Sequence, residues 1–238
     1  INQFKTYLLA RYIIMKKYLL ILIIISSCSP KNNFHLNGDI KGLKKGTILL
    51  TKSVNGSEVT LDSINLNGTS EFTLSSFLNE PEVLKIKLTK SGIYDDEVEF
   101  FANKGITNFK TNLKRFSYES KFDGSAQQER LEYFNTMMIK FKEQNLNLIK
   151  NQIEVYGNDE MTNIISKELV NLRKREMYFI INFSLNNVNS EIAPFVASKF
   201  LYETNQKYLD TIYSSLDRNI KESKYGVLLK EKIVIEDQ

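Results

Sequence analysis

Two residue types that often carry enzyme chemistry occur only once each in the 238-residue chain, as Cys28 and His35. A multi-histidine metal site or a histidine-based triad is excluded by this count, and we interpret His35 as a polar residue at the start of a strand. A single cysteine cannot form a redox-active Cys-x-x-Cys pair. No glycine-rich phosphate loop and no Gly-x-Ser-x-Gly turn occurs. The sequence therefore predicts no catalytic residue, no metal ligand and no cofactor.

The densest acidic cluster consists of Asp95, Asp96, Glu97 and Glu99. Such a group can ligate a hard cation, but it lacks the glycine and the bidentate glutamate of a calcium loop. We therefore expect a solvated loop that runs into an exposed strand face.

A basic triplet, Arg173-Lys174-Arg175, lies between Glu168 and Glu176. Ordinary ion pairs on a helix surface account for this pattern. Contact with a phosphate or a lipid headgroup is the alternative.

The stretch Met15–Cys28 is typical of an export signal. Two lysines precede the apolar run Tyr18–Ile25, and two serines and the cysteine follow it. The run is too short to span a bilayer, which needs about 20 apolar residues. We expect Met15 to be the true start and residues 1–14 to be an untranslated upstream extension. An uncleaved amphipathic leader is the alternative.

The residues Ile25-Ser26-Ser27-Cys28 resemble the lipobox of bacterial lipoproteins. The resemblance implies cleavage between Ser27 and Cys28 and acylation of Cys28, with residues 15–27 as the signal and residues 28–33 as a tether. It implies a membrane partner reached through the lipid and a place in the bacterial cell envelope. Because no acidic residue follows Cys28 closely, we expect a periplasm-facing position on the outer membrane.

Charge excludes one class of partner once the signal is set aside. The whole chain has 32 basic and 28 acidic residues, a net charge of +4. Residues 1–27 hold four of the basic residues and none of the acidic ones. The remaining chain is therefore neutral, without the basic excess that binding to nucleic acid requires.

Residues 34–122 show two-residue alternation broken by turns, which predicts an antiparallel β-sandwich or open barrel. Asn55-Gly56 and Asn67-Gly68 are typical of hairpin turns. Adjacent phenylalanines, Phe100 and Phe101, are expected in the core. The strands are predicted at Phe34–Lys41, Thr47–Lys52, Glu58–Leu66, Glu71–Leu74, Val83–Thr89, Glu97–Ala102, Thr107–Leu113 and Arg115–Phe122.

Residues 123–238 change to a helical period, so the fold class is α+β with a helical hairpin or bundle after the sheets. Ser125-Ala126-Gln127-Gln128 matches a capping box at the start of a long helix, whose two halves are expected to bend or to pack against different elements. Gly157-Asn158-Asp159 ends it and begins an antiparallel second helix. Shorter helices are predicted at Ile192–Glu203, Gln206–Leu216 and Asn219–Ile233.

Three segments resemble a known family: Asn37–Gly42, Phe122–Gln128, and the tail from Tyr213 to Gly226. The family is domain of unknown function 4369, the region that precedes a thioredoxin-like domain in bacterial thiol–disulfide oxidoreductase lipoproteins. The resemblance covers about Phe34 to Ile233 and implies the fold and the compartment. It carries over no catalytic residue, because the cysteine pair of the thioredoxin-like domain is missing here.

These observations favour a non-catalytic binding or protein-interaction module. We expect its surface at the junction between sandwich and helices, where pockets often form. The alternative is the non-catalytic N-terminal half of an oxidoreductase whose thioredoxin-like domain is missing or encoded separately.

The lipid anchor makes a direct prediction for Cys28→Ser. Removal of the acylated thiol should abolish incorporation of a fatty-acid label and release the protein from pelleted envelope membranes. Ser29→Ala is the matched control and should keep both properties. A Cys28→Ser protein that still carries the label and still pellets would contradict the lipobox interpretation.

Overall fold

The computed structural model describes residues 31–54, 56–90, 93–201 and 206–236. The strands of this part of the chain are β1 (Phe34–Lys41), β2 (Lys45–Val54), β3 (Ser57–Asn67), β4 (Glu71–Ser76), β5 (Glu82–Lys90), β6 (Ile93–Ala102), β7 (Gly105–Asn112) and β8 (Lys121–Asp123). They form two four-stranded sheets in the orders β4-β1-β7-β8 and β3-β2-β5-β6. Their inner faces share one apolar core, so the predicted sandwich is confirmed and the sheets do not close into a barrel.

Side-chain alternation builds this core as the sequence predicts. Leu84, Ile86 and Leu88 of β5 are buried, whereas Lys85 and Lys87 lie on the opposite face of the same strand. The second sheet therefore turns an apolar face inward and a charged face outward.

One strand pair departs from the predicted antiparallel arrangement. β1 and β7 are parallel, with Phe34 opposite Gly105 and Lys41 opposite Asn112. A parallel pair needs a long crossover, which is usually a helix. Here the intervening strands of both sheets form the crossover instead.

Two aspartates hold the edges of the sandwich. Asp62 of β3 accepts hydrogen bonds from the backbone N–H groups of Ser63 and of Ser75 in β4, each at 2.8 Å, and so links the edge strands of the two sheets. On the other side, Asp96 of β6 accepts from the Glu97 N–H at 2.9 Å and from the Ser117 hydroxyl. Edge groups that are satisfied in this way are less available to other chains.

Two sequence predictions in the sandwich are wrong. The segment Arg115–Phe122 is not a strand: Leu113–Arg115 forms a 3-10 turn, capped by the Asn112 side chain, and only Lys121–Asp123 is extended. Asn67-Gly68 does not close a hairpin, because β3 and β4 belong to different sheets. Gly68, with φ of 90°, instead allows the chain to turn from one sheet to the other.

The helices are α1 (Ala126–Glu154), α2 (Asp159–Leu185), α3 (Ile192–Phe200), α4 (Gln206–Ser215), α5 (Arg218–Lys221) and α6 (Lys224–Glu236). Ser125 caps α1 and Asn158 caps α2, each through a side-chain oxygen that accepts a backbone N–H, as predicted. The two long helices form the predicted antiparallel hairpin, in which Gln152 donates to Ser166 and Arg175 donates to Gln144.

Within the described residues, no helix has both the length and the apolar character needed to cross a membrane.

The far half of α1 lies beside α2, to which Gln144 and Gln152 bond, but its apolar residues are not buried there. Leu146 and Ile153 are 64% and 70% exposed, and Tyr156 beyond the helix end is 93% exposed. The near half, with Leu131, Phe134 and Met138, is buried in the helical core. The hairpin therefore projects from the body of the protein.

Helix α3 is the centre of the helical core. Its residues Ile192–Ala197 are all buried, and Pro194 lies in its first turn as predicted. Lys232 of α6 donates to the carbonyls of Ser198 and Leu201 at the end of α3. The described residues from Asn33 onward form one compact unit.

The predicted helix Asn219–Ile233 is two helices, α5 and α6. Ser223 donates its hydroxyl proton to the Ile220 carbonyl at 2.7 Å and accepts from the Gly226 N–H at 3.3 Å, which ends one helix and caps the next. Gly226 lies directly against the carbonyl oxygens of Ile220 and Lys221, where a Cβ atom has no space. The break between α5 and α6 therefore depends on Gly226. The hydrophobic periodicity of the sequence does not distinguish this glycine from an ordinary helical residue.

Candidate functional site

The main candidate site is a groove where the two outer strands of the sandwich separate and α6 enters. β2 continues to Val54 and β5 begins at Glu82, yet the two pair only as far as Thr51 and Lys85. The space between their diverging ends, bounded by α3 and α6, has a volume of about 810 Å³. We call it the junction groove. It is lined by Lys52, Ser53, Val54, Gly56, Asn79, Glu80, Glu82, Val83, Lys85, Glu99, Phe195, Lys199, Glu222, Lys224, Tyr225, Val227, Leu228 and Glu231.

Glu82 is the buried charge of the junction groove. Its side chain is only 7% exposed and lies 3.0 Å from the Lys52 ammonium of β2 and 2.8 Å from the Lys224 ammonium of α6. Each oxygen of the carboxylate thus has its own cation. A buried carboxylate needs such partners, and the two ion pairs of Glu82 link α6 to both diverging strands.

The start of α6 is bound to the sandwich by two further hydrogen bonds. The Tyr225 hydroxyl accepts from the Val83 N–H at 2.7 Å, where a continued β2 would otherwise pair. The Glu80 carboxylate accepts from the Lys224 backbone N–H at 2.9 Å. An acidic group at a helix N-terminus also interacts favourably with the helix dipole. The helix is therefore fixed in position and direction at this end.

Three aromatic rings pack together at the floor, where Phe195 and Tyr225 line the groove and Phe101 is fully buried beneath them. Phe101 of β6 packs against Phe195 of α3 at 5.5 Å and against Tyr225 at 5.6 Å between ring centroids, and Phe195 lies 5.1 Å from Tyr225. Tilted and edge-to-face contacts of this kind are favourable geometries for aromatic pairs. One ring from the sandwich and two from the helices thus make a continuous apolar base.

One wall carries alternating charges. Lys85 lies 3.2 Å from Glu97 and 3.6 Å from Glu99, and Glu99 also pairs with Lys199 of α3 at 2.8 Å. Although burial opposes the shift, the hydrogen bond to Glu97 and the charges of Glu97 and Glu99 raise the pKa of Lys85. These pairs are partly exposed, so a partner can compete for them at moderate cost.

The same charged face continues away from the groove towards β3. Lys87 pairs with Glu58 and lies 3.4 Å from Glu97. The hydrogen bond from Lys87 lowers the pKa of Glu58, and the same bond raises the pKa of Lys87. The outer face of the second sheet is therefore a connected network of opposite charges.

The junction groove combines apolar and charged surface. Within the described ranges, no group of three or more His, Cys, Asp or Glu side chains is placed to hold a metal ion. The apolar floor and the charged walls match the usual organisation of an interface, with an apolar centre and a polar rim.

The predicted site residues lie in different places. Ser27 and Cys28 fall outside the described residues. His35 is exposed on β1, opposite Ser75 and Ile106. The acidic cluster belongs to β6 rather than to a loop, and its members Glu97 and Glu99 lie on a partly exposed strand face, as predicted, where they form the ion pairs described above.

The basic triplet on α2 does not form the predicted pairs. Arg175 donates to the Gln144 side chain of α1 at 3.0 Å. In the part of the chain that the structure describes, none of its three residues pairs with Glu168 or Glu176. The triplet therefore contributes one link within the hairpin.

The residues that build the junction groove were not predicted from the sequence. Glu82 directly precedes the predicted strand Val83–Thr89, and its partners Lys52 and Lys224 lie 30 and 142 positions away. Gln128 was predicted to complete a capping box, but its side chain accepts from the Phe101 N–H at 2.7 Å instead. A glutamate directly before an alternating strand is the signal that the sequence offers.

Comparison with known families gives one match. Residues 34–131 match the model of a family described as a domain of unknown function, DUF4369. The matched residues comprise the whole sandwich and the first turns of α1, including Gln128. No curated protein matches the chain.

The Tyr225 hydroxyl makes a prediction about pH. Burial, which outweighs the hydrogen bond from Val83, raises the pKa of the Tyr225 phenol. A group whose pKa is raised in the folded protein stabilises the fold fully at pH values below its pKa in the unfolded chain, which is about 10 for tyrosine. This stabilisation is lost as the pH rises further. Tyr225→Phe, which leaves the Val83 N–H without its acceptor, should lower the free energy of unfolding at neutral pH by about 1 kcal/mol.

Urea unfolding of both proteins from neutral pH to about pH 11 measures this contribution. The difference in the free energy of unfolding between the two proteins should stay constant around neutral pH and shrink above about pH 10. Only the original chain must keep a buried phenol protonated in order to stay folded. A difference that does not change with pH would contradict the assignment. The raised pKa values of Lys85 and Lys87 act equally on both proteins and cancel in the comparison.

Proposed function

On the premise that residues 34–131 form a DUF4369 domain, we propose that the chain is a lipid-anchored envelope protein that acts as a non-catalytic binding module. The junction groove is its binding surface, and Cys28 is the anchor. The observation that carries the proposal is the fixed position of α6 against the diverging ends of β2 and β5, which keeps the groove open.

The groove is suited to a segment of another protein. Phe195 and Tyr225 of its floor are buried, and the exposed apolar surface is on its α6 rim, where Val227 and Leu228 are each 44% exposed. Most of its charged side chains pair with one another, so a partner gains most by covering Val227 and Leu228 and by bringing charges of both signs to the rim. We therefore assign it a protein partner with an apolar centre.

A lipid anchor at Cys28 would hold the groove near a membrane. Asn33 is fixed to the fold, since its side chain exchanges two hydrogen bonds of 2.8 Å with the backbone of Leu78. Four residues separate Cys28 from Asn33, and the five Cα–Cα steps between them can span at most about 17 Å. An acylated Cys28 would thus keep the binding module close to the membrane surface.

Site-specific photo-crosslinking tests the binding surface. A benzophenone amino acid is placed at Val227 or Leu228 in the groove and, as a control, at Val234 on the same helix. Val234 is 50% exposed but does not line the groove, so the three positions are similarly accessible. After irradiation of intact cells, we expect a discrete adduct of one protein at Val227 and Leu228 and none at Val234.

Equal adducts at all three positions would show contact without a specific surface and would overturn the proposal. The absence of an adduct at both groove positions would do the same. The partner in the adduct is identified by mass spectrometry, and its contacting segment should place an apolar residue at the linked position.

The family match favours a second candidate, the non-catalytic half of a thiol–disulfide oxidoreductase. In that case the partner or continuation is a thioredoxin-like domain with a Cys-x-x-Cys pair. The DNA that follows codon 238 distinguishes the two: a frame encoding such a pair supports this candidate, and its absence from the surrounding region contradicts it.

A further inference from the structure

A second pocket lies at the base of the helical hairpin, away from the junction groove. It has a volume of about 450 Å³ and is formed by the first turns of α1 and the last turns of α2. This volume falls within the range of small-molecule sites. The pocket contains three aromatic residues, three asparagines and one residue of each charge.

The aromatic part of the pocket is presented rigidly. Tyr133 is 59% exposed, and its ring stacks on Phe183 with 6.4 Å between centroids and an angle of 22°. Phe183 in turn packs against the fully buried Phe134 at 5.0 Å. One side of the tyrosine ring is thus supported from below, and the exposed part can receive a flat ligand face.

The polar groups around this ring are available. Arg130, Glu129, Asn182 and Asn186 have no side-chain partner among the residues that the structure describes. Asn187 donates its amide to the Phe183 carbonyl at 2.8 Å and keeps its side-chain oxygen as an acceptor. Asn182 lies in the last turn of α2 and Asn186, four positions on, caps the end of that helix with helical backbone angles, so the two share a face. Arg130 and Tyr133 are three positions apart on α1 and also share a face.

The aromatic, amide and charged groups of the pocket together favour one class of ligand. Arg130 and Glu129 give the pocket no net charge, so nothing in it favours an anion. A purely apolar ligand would desolvate the amides and the charged groups without replacing their hydrogen bonds. A sugar ring has an apolar C–H face for Tyr133 and hydroxyl groups that both donate and accept, which amide groups match.

We propose that this pocket binds one ring of a neutral saccharide, stacked on Tyr133 and hydrogen-bonded by Asn182 and Asn186. The proposal adds a glycan contact to an envelope protein and does not depend on the junction groove.

Saturation-transfer NMR on the full chain in deuterated detergent tests it with three neutral probes: chitotriose, maltotriose and mannotriose. We expect at least one trisaccharide to bind below about 10 mM. Its ring C–H protons should receive the strongest saturation, because they face the tyrosine. Tyr133→Ala should weaken that binding about tenfold, through the loss of aromatic contact.

Two further variants control the result. Tyr156→Ala removes the 93% exposed tyrosine beyond α1 and should leave saccharide binding unchanged. Asn182→Leu with Asn186→Leu keeps the aromatic ring but removes the amides, and it should weaken binding by a similar factor while the unfolding midpoint shows an intact fold.

The proposal is overturned if none of the three trisaccharides receives saturation at about 10 mM, or if Tyr133→Ala and Tyr156→Ala bind equally. Photo-crosslinking from Val227 in the Tyr133→Ala variant shows whether the junction groove still binds its partner when saccharide binding is lost. That crosslink should persist, since Tyr133 does not line the groove.

Discussion

The structure depends on two neighbouring phenylalanines that point to opposite faces of one strand. Phe100 is buried in the core of the sandwich, and Phe101 is buried in the core of the helical region. Because successive side chains of a strand alternate, β6 can belong to two cores at once. The helices therefore pack on the outer face of the sandwich and form with it a single compact unit.

This shared strand explains where the junction groove lies. The helices cover the Phe101 end of the second sheet and leave the charged part of the same face exposed. Where α6 meets the sheet, β2 diverges, and groups of the helix replace those of the strand: the Tyr225 hydroxyl at Val83 and the Lys224 ammonium at Glu82. A buried ion pair of this kind is weak support for stability, but it fixes the direction of the element that carries it. The groove follows from this geometry rather than from a flexible loop.

Local patterns predicted most of the elements but not their assembly. Alternation located seven of the strands, and Ser125 and Asn158 located the starts of the long helices, because these signals lie within a few neighbouring residues. The parallel pairing of β1 and β7, the turn between sheets at Gly68 and the divided tail helix depend on residues far apart in the chain. The groove belongs to this second class, since its central contacts join β5 to α6 across more than 140 positions.

Native-state hydrogen exchange at Val83 and Phe101 tests most directly whether the sandwich and the helices act as one unit. Both amides donate to side chains of the helical region, Tyr225 and Gln128. If the groove is a permanent feature, both amides open with the same free energy as the amides of Ile48 and Ile86 in the centre of the second sheet. Exchange of Val83 and Phe101 at clearly lower free energy would mean that the helices detach by themselves, which contradicts a groove held open by the fold.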